Sequence, residues 1–426
     1  METSDPRSAL WFSTAGPPPD TPPLTADRRA DVCVIGGGFT GLSTALHLAE
    51  AGVDTVVLEA EHPGFGASGR NHGQVVPSYS RHGPDDIVRL FGAERGEALN
   101  QWVQDSCSLV FELIRKHGIE CDAVQNGWLM PAHNAERLAV VRAKHDQWAA
   151  RGAPVDFLDK TATEAITGSP HYIGTWMHRS GGNIQPLGYA RGLARAAQQA
   201  GAAIHAATPA TSLERIGSDW RVTTPSGTVT ADKIVLATNA YGGTLWPGLA
   251  KSVVPVRLFQ TATAPLSDNI ARSILPQGHS ISDGRRILWS FRKDASGRLV
   301  AGGAPLFTTN VRQSLRKMVP DYIRTAFPQV GDIKLEHIWD GRIAVTPNRL
   351  PRLHELAEGV YAGLGYSGRG IAMATGMGKV LAMRVRGTPL EELPVPATAM
   401  TPLPMHALTI PFARMNIAWL RWQDRG

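Results

Sequence analysis

Near the start of the chain, an apolar run is followed by a cluster of glycines and then by a helical pattern. Residues 32–35 are all apolar and predict a buried strand, while 40 to about 51 have apolar positions at helical spacing. A second apolar run at 55–59 predicts another strand. This succession predicts one β-α-β unit.

The pattern that follows predicts a helical insertion and a return to the first unit. Apolar positions recur at roughly helical spacing over 85–150, and 186–200 predicts a further helix. Short runs at 203–205, 220–224 and 233–237 predict strands. We expect these strands to join the β-α-β unit.

The second half of the chain predicts a different sheet. Runs at 254–262, 287–291 and 299–302 are typical of antiparallel strands, and one helix is predicted near 311–326. After them, 360–385 predicts a strand, a glycine-rich turn and a helix. We therefore expect two domains, which suits a chain of 426 residues.

Both ends of the chain have their own patterns. Five prolines between positions 17 and 23 predict that residues 1–29 form an extended arm on the surface. Residues 412–422 resemble a helix, with Phe412, Ile417, Trp419 and Trp422 as its large apolar residues. Docking of this stretch against the protein itself is favoured over contact with a membrane or a partner.

Composition and charge exclude several classes of function. The apolar share of 43% is that of a soluble globular protein, and the excess of 43 basic over 37 acidic residues is scattered. Nucleic acid is therefore not expected as a partner, although the net charge of +6 can attract an anionic substrate. No run reaches the ~18 apolar residues of a membrane span, and the start lacks the basic and apolar regions of a signal peptide.

The three cysteines are Cys33, Cys107 and Cys121. Their number is odd, and they form no C-x-x-C pair. We expect reduced thiols, a cytoplasmic protein and no metal site.

Gly36, Gly38 and Gly41 have the G-x-G-x-x-G spacing of a dinucleotide-binding turn. They follow a predicted strand and open a predicted helix, whose N-terminal amides favour a phosphate. Glu59 ends the next strand roughly 20 residues later, where a carboxylate accepts hydrogen bonds from ribose. We therefore expect a cofactor whose adenosine ribose has a free 2′-hydroxyl, because the Glu59 carboxylate would repel a 2′-phosphate.

A second loop of small residues, 64–74, distinguishes FAD from NAD. Small residues let the backbone lie against the flavin of a long cofactor, whereas the alternative is a flexible surface loop.

Through residues 31–43, 59–74 and 363–370 the sequence resembles the D-amino-acid oxidase-like (DAO) family of FAD-dependent oxidoreductases, and within it the γ-glutamylputrescine oxidoreductase group. Softer similarities at 186–196, 231–241 and 339–351 occur in the family's order. The resemblance implies an α/β fold with a Rossmann-type, glutathione-reductase-like FAD-binding domain interleaved with an antiparallel-sheet substrate domain.

The resemblance also implies domain boundaries and site residues. We expect the FAD-binding domain at 30–84, 180–248 and 335–386, the helical insertion and substrate domain at 85–179 and 249–334, and a tail at 387–426. By resemblance, the cofactor is held by Gly36, Gly38, Phe39, Thr40 and Gly41 (pyrophosphate), Glu59 and Ala60 (adenosine), Ala67, Ser68, Gly69, Arg70, Asn71, Gly73 and Gln74 (ribityl and isoalloxazine), Ala210 (adenine), Ala237, Thr238 and Asn239 (beneath the cofactor), and Gly341, Gly368 and Gly370 (flavin ring).

Three departures from the family pattern change the expected chemistry. Arg369 stands where a histidine is common near the flavin edge, and it can bind an anion or a substrate carboxylate, point to solvent, or pair with an acidic residue elsewhere. Gly341 replaces the cysteine that anchors flavin in sarcosine oxidase relatives, so non-covalent FAD is expected. Asn348 replaces an aspartate, and 298–303 contains no lysine, which leaves oxygen or another electron acceptor open.

The catalytic candidates are His72, Arg369, Trp289 and Tyr366. His72 could assist deprotonation of an amine or only hydrogen-bond locally. Trp289 and Phe291 alternate along one predicted strand and would form an aromatic wall, unless they pack in the core. Tyr366 begins the loop at the flavin edge.

Arg257, Arg286 and Arg292 are further candidates for binding a carboxylate, with solvated charge as the alternative.

These features predict a flavoenzyme that oxidises the C–N bond of a small amine or amino acid to an imine, which water hydrolyses. Carboxylated or γ-glutamylated amines are the favoured substrates. The alternatives are a sarcosine-like or imino-acid dehydrogenase that passes electrons to a quinone or carrier, and a flavin-binding biosynthetic partner without turnover. The oligomeric state stays open.

Overall fold

The computed structural model describes residues 8–303 and 310–423. Most of the helices and strands lie where the local sequence patterns predict them. The helices are α1 (Leu10–Thr14), α2 (Phe39–Ala49), α3 (Pro84–Phe91), α4 (Ala93–Lys116), α5 (Ala135–Ala149), α6 (Lys160–Thr167), α7 (Pro186–Gln199), α8 (Asp268–Ser273), α9 (Val311–Ala326), α10 (Gly370–Val385) and α11 (His406–Gln423).

The strands divide between two large sheets and a two-stranded ribbon. They are β1 (Arg28–Ile35), β2 (Thr55–Leu58), β3 (Gln74–Val75), β4 (Trp128–Ala132), β5 (Val155–Leu158), β6 (Gly174–His178), β7 (Gly182–Asn183), β8 (Ala203–His205), β9 (Ser212–Ile216), β10 (Asp219–Thr224), β11 (Gly227–Leu236), β12 (Val254–Pro265), β13 (Ser280–Ser282), β14 (Ser290–Lys293), β15 (Arg298–Gly303), β16 (Leu335–Val345), β17 (Arg352–Ala357) and β18 (Val360–Leu364).

The first sheet is that of an open α/β nucleotide-binding domain. Its order is β17-β18-β11-β1-β2-β8, and the pairs β18-β11, β11-β1, β1-β2 and β2-β8 are parallel. A hairpin of β9 and β10 extends from β11. Because helices α2, α7 and α10 share one apolar cluster with strands of this sheet, the predicted α/β architecture is confirmed.

The second sheet has the order β16-β12-β15-β14-β13-β4-β6-β5 and is antiparallel except between β13 and β4. Two features depart from the predicted organisation. Strand β16 pairs with β12 here, although 335–386 was expected to belong to the nucleotide domain. The insertion 85–179 is mainly helical, but it also supplies β4, β5 and β6 to this sheet.

The N-terminal segment is not only an extended surface arm, as predicted. Residues 10–14 form helix α1, and the Trp11 side chain is fully buried. The Trp11 indole N–H donates to the carbonyl of Asn71 at 2.7 Å, and the amide of Gln185 donates to the Trp11 carbonyl at 2.8 Å. The start of the chain is thus fixed against the second glycine-rich loop.

Helix α11 near the other end does not dock all of its aromatic residues. The helix contacts β12, as docking against the protein requires, but Phe412 is 61% exposed and Trp419 is 55% exposed, so these two side chains are not buried by it. The side chains of Ile417 and Trp422 lie outside what the structure describes. Within residues 8–303 and 310–423, none of the helices combines the length and apolar character that crossing a bilayer requires.

Candidate active site

Four neighbouring parallel strands bring the predicted site residues to one edge of the first sheet. Strands β1, β2, β11 and β18 end immediately before Gly36, Glu59, Ala237 and Gly365. In open α/β sheets ligands bind outside the carboxyl ends of the strands. Segments far apart in sequence therefore meet at this edge.

The turn after β1 has the shape that the glycine spacing requires. Gly36 has φ +112°, a conformation that favours glycine. A Cβ at Gly41 would collide with the carbonyl oxygen of Gly36, so this position must be glycine for helix α2 to start so close to the turn. The turn consequently points the first amides of α2 towards the sheet edge.

Glu59 lies beside this turn. Its carboxylate accepts hydrogen bonds from the backbone N–H of Gly37 at 2.6 Å and of Glu61 at 3.0 Å. Burial raises the pKa of Glu59, although both hydrogen bonds act in the opposite direction. The next residue, Ala60, is exposed, and Ala210 is only partly covered. The Glu59 carboxylate is thus held in place by backbone hydrogen bonds, while the residues around it leave this part of the sheet edge accessible.

Small, partly exposed residues follow Glu59 and the turn at this edge and define the candidate cofactor groove. Its members are neither fully buried nor fully exposed: Gly36, Gly38, Ala67, Ser68, Thr238 and Asn239. A Cβ at Gly38 would lie 2.9 Å from the Ser68 hydroxyl and would fill the space between the two glycine-rich loops. A groove of exposed backbone with one ribose carboxylate fits an extended dinucleotide such as FAD.

The second glycine-rich loop is held by internal hydrogen bonds and is not a flexible surface loop. The Asn71 amide donates to the carbonyls of Ala67 and Ser68, and its oxygen accepts from the N–H of Gly73. Arg70 is buried and donates to the carbonyls of Gly66 and Asp340 and to the hydroxyl of Tyr241. The side chains of Arg70 and Asn71 thus fix the loop, and buried Gly69 lies within it.

Gly341 on β16 faces this loop. A Cβ built at Gly341 would lie 3.5 Å from the Arg70 Cβ and 3.9 Å from the Ala67 Cα. Glycine at this position offers the loop no nucleophile.

The segment after β11 lies beneath the turn. The N–H of Ala237 donates to the carbonyl of Ile35 at 2.9 Å, and the Asn239 side chain accepts from the N–H of Gly365 at 3.1 Å. Residues 237–239 thereby join the two strand ends on either side of them. Their position supports the roles implied for Ala237, Thr238 and Asn239.

The Tyr366 side chain is engaged by another part of the protein and has a positioning role. Its hydroxyl is 2.6 Å from the Thr40 hydroxyl, and burial raises its pKa. Tyr366 therefore positions the loop after β18 against the first turn of helix α2. Gly368 and Gly370, in the same loop, are exposed and half-buried.

Arg369 directly precedes α10, and only 6% of its surface is exposed. Its guanidinium lies over the Trp128 ring at 5.6 Å, and its Nε has no hydrogen-bond partner among the described residues. Burial lowers the pKa of Arg369 to about 10. The side chain does not point to solvent, and its charge is uncompensated by any carboxylate in the part of the chain described.

Trp128 connects Arg369 to the cofactor loop. The Trp128 indole N–H donates to the Ser282 hydroxyl at 3.2 Å, and that hydroxyl donates to the Gln74 side-chain oxygen at 2.5 Å. Gln74 also donates to the carbonyl of Ile281 at 2.6 Å. Sequence reasoning missed Trp128 and Ser282, because no motif marks them and only the β13-β4 pairing brings them together.

His72 is placed at the site but is a poor base. It lies against Gly302, and neither imidazole nitrogen has a hydrogen-bond partner of good geometry in the described ranges. Burial, with the charge of Arg292, lowers the pKa of His72 to about 3. Neutral His72 binds protons too weakly to serve as the base that the sequence suggested.

The predicted aromatic wall is wrong for a structural reason. Strand β14 begins at Ser290, whose hydroxyl lies on the side of His72. Trp289 stacks on Tyr322 at 4.6 Å and Phe291 packs against Phe327 at 5.3 Å. Both aromatic residues thus face helix α9 and its flank, away from the cofactor loops.

The three other arginines named as carboxylate candidates have protein partners. Arg257 makes two hydrogen bonds to Asp340, at 2.5 and 3.0 Å. Arg286 is paired with Glu136 at 2.6 Å, and Arg292 donates to the carbonyls of Ile184 and Gly73. Only Arg369 among these candidates combines burial with an unpaired guanidinium in the described structure.

Comparisons with known proteins agree with this geometry. The sequence profile of the family described as FAD dependent oxidoreductase (DAO) matches residues 31–384. The γ-glutamylputrescine oxidoreductase of Escherichia coli K12 is 34% identical over 412 residues, which cover 94% of each chain.

Two solved structures share the fold. Glycine oxidase from Geobacillus kaustophilus superposes with a TM-score of 0.71 at 20% identity, covering 85% of this chain and 96% of that one. L-Proline dehydrogenase from P. horikoshii superposes with a TM-score of 0.72 at 19% identity, covering 87% and 96%.

Proposed function

The chain belongs to the FAD dependent oxidoreductase (DAO) family, and from that premise we propose that it oxidises the C–N bond of a small amine that carries a carboxylate, using non-covalent FAD. The observation that carries the choice of substrate is the buried, unpaired guanidinium of Arg369 over Trp128. Leaving such a charge buried without a partner is costly, and a carboxylate of the substrate would compensate it.

The chain's own residues would hold the cofactor in the groove described above. The amides at the start of α2 would bind the pyrophosphate, Glu59 the ribose, and the 67–74 loop the flavin. When bound, FAD supplies a hydride acceptor at its N5 atom. The absence of a side chain at Gly341 supports non-covalent binding, so denatured protein should release all of its FAD.

The protein's part in the reaction is orientation. Gln74 and Ser282 are fixed to one another and to Trp128, and Arg369 would hold the substrate against this rigid set. The weak basicity of His72 implies that the neutral amine form is the one that reacts, without a dedicated protein base. Water would then hydrolyse the imine to a carbonyl compound and a free amine.

The relative from E. coli supports this substrate class. Its name is γ-glutamylputrescine oxidoreductase, and γ-glutamylputrescine has a free carboxylate at its glutamyl end and a primary amine at its putrescine end. We infer that this chain takes γ-glutamylated or similarly carboxylated amines.

A second candidate differs in the electron acceptor. In β15 the position between Leu299 and Ala301 is Val300, fully buried in a cluster with Trp11 and Trp339. Val300 itself supplies no cation that could stabilise reduced oxygen species. This observation favours a dehydrogenase that passes electrons to a quinone or carrier protein.

Anaerobic titration of the FAD-loaded protein with a panel of amines and amino acids tests the proposal. We expect carboxylated amines to bleach the oxidised flavin and to yield a carbonyl product. Re-oxidation of the reduced enzyme by air or by a soluble quinone then separates the two acceptors. If dithionite bleaches the flavin but no amine does, the protein is not an amine oxidoreductase.

A further inference from the structure

A second cation lies close to Arg369 and was not marked by any sequence motif. Lys144 is on α5, and it is half-buried. It forms no hydrogen bond or ion pair with residues 8–303 or 310–423. Burial, with the charges of Arg369 and Arg137, lowers the pKa of Lys144 to about 8.

The position of Lys144 on its helix explains why its side chain is partly buried. Val141 and Trp148 are both fully buried. Lys144 follows Val141 by three positions and precedes Trp148 by four, so the three side chains share one face of α5. That face packs towards β4, which also carries Trp128.

The nearby charged groups do not neutralise Lys144. Asp86 on α3 is the acidic group that acts on it, but the Asp86 carboxylate accepts from the N–H of Gly83 and pairs with Arg89. Arg137, on the same helix, is positively charged and donates to the carbonyl of Gly284. Lys144 and Arg369 are therefore two like charges that act on each other, and neither is paired with a carboxylate in the described part of the chain.

Two neighbouring, unpaired cations repel each other, and their burial costs free energy. An anion between them would remove both costs. The guanidinium could bind one carboxylate through two N–H groups while the ammonium binds it from the opposite side.

We propose that Lys144 and Arg369 together form a carboxylate receptor, contributed by the insertion and by the cofactor-binding domain, which selects amine substrates that carry a carboxylate. The proposal rests on the proposed function and adds to it a second recognition residue. Lys144 attracts the anion only when it is protonated. The proposal therefore also makes carboxylate binding sensitive to pH.

Binding of a carboxylate that cannot be oxidised tests the receptor apart from turnover. Glutarate and its neutral analogue glutaramide would be titrated into the FAD-loaded protein by calorimetry at about pH 7. We expect glutarate to bind, glutaramide to bind at least about tenfold more weakly, and Lys144→Gln to weaken glutarate on the order of tenfold to a hundredfold without changing glutaramide.

Lys144→Arg keeps the charge and should retain most of the affinity for glutarate. Lys317→Gln, an exposed lysine on helix α9, is the matched control and should leave binding unchanged. Thermal melting and FAD content would be recorded for each variant, so that loss of folding is recognised. Should Lys144→Gln not fold, the comparison of the wild type with Lys144→Arg across pH decides the question.

The pH dependence separates a direct role from a structural one. In the free protein Lys144 loses its proton as the pH rises through about 8. Glutarate affinity should fall above that pH in the wild type but hold to a higher pH in Lys144→Arg. Equal glutarate binding by wild type and Lys144→Gln, or no binding to the wild type at all, would overturn the proposal. Failure of amines to bleach the flavin while this pattern persists would count only against the proposed reaction.

Discussion

The hydroxyls of Thr40 and Tyr366 lie 2.6 Å apart, although 326 positions separate the two residues in the chain. Thr40 lies in the first turn of α2, directly after the glycine-rich turn that follows β1, and Tyr366 begins the loop that leads to Arg369 and α10. This single hydrogen bond joins the part of the site that would hold the cofactor's phosphates to the part that would hold the substrate.

A double-mutant cycle measures this connection. We expect Thr40→Val and Tyr366→Phe each to lower the free energy of unfolding by about 1 to 2 kcal/mol, because each leaves a buried hydroxyl without its partner. The double variant should cost less than the sum of the two. Chemical unfolding of all four proteins provides the coupling energy, and strict additivity would mean that the two hydroxyls do not interact.

Gly38→Val should abolish FAD binding without unfolding the protein. The first added carbon would lie 2.9 Å from the Ser68 hydroxyl, in the space between the two loops. Gly16→Val is the matched control, because no atom lies within 4 Å of a Cβ at Gly16. The ratio of flavin to protein absorbance reports occupancy, and full occupancy of Gly38→Val would show that the cofactor lies elsewhere.

His72 should make the protein sensitive to acid. Its folded pKa, about 3, is below the ordinary value of 6.5, so the fold favours neutral imidazole. The corresponding stability is complete above pH 6.5 and is lost as the pH falls towards 3, by at most about 1.4 kcal/mol per pH unit. Urea unfolding at several pH values should therefore show a shallower acid slope for His72→Asn.

The same replacement at half-buried His337 serves as the control for the acid slope. The His337→Asn variant should show the same dependence of unfolding free energy on acid pH as the wild type. An unchanged slope in His72→Asn would mean that His72 is protonated in the folded protein.

Arg369→Lys should separate recognition of the carboxylate from support of the flavin. The variant keeps the charge but loses the paired N–H donors, so KM for carboxylated amines should rise about tenfold or more while uncharged amines keep their kcat/KM. A uniform loss for all amines, with a changed flavin spectrum, would assign Arg369 to the cofactor. Unchanged kinetics for every substrate would remove it from the site.

The strand-turn-helix at 32–51 could be predicted because its signals are local. Gly36 and Gly41 sit at positions where the backbone admits no other residue, and Glu59 ends the adjoining strand. The helix α10 and the strand before it were found for the same reason. A family resemblance added the remaining loop residues, whose roles in binding FAD stay proposals.

Other features depend on contacts that no local pattern contains. Prolines dominate the N-terminal pattern, and they hide the short helix that buries Trp11. Strand β4 is a short run, buried along its whole length and with Pro131 inside it, so it shows no alternation. Lys144 looks like one more charged position on an exposed helix until the fold brings α5 to Arg369.

The face of the strand on which Trp289 lies was predicted wrongly, because the strand starts later than its sequence pattern suggests. The alternating pattern at 287–291 suggested a wall on the cofactor side, but β14 starts at Ser290. With a period of two, the start and direction of the strand decide which face each side chain takes. Ser290 therefore faces the cofactor loops, and Trp289 does not.

Anaerobic mixing of the FAD-loaded protein with γ-glutamylputrescine and, separately, with its carboxamide analogue tests the central claim most directly. The two compounds have the same amine and differ in the charge that Arg369 would recognise. We predict that both reduce the flavin, and that the carboxylate compound reaches half-maximal rate at a concentration at least about tenfold lower. Equal concentration dependence for the two compounds, or a flavin that neither compound reduces, would contradict the account.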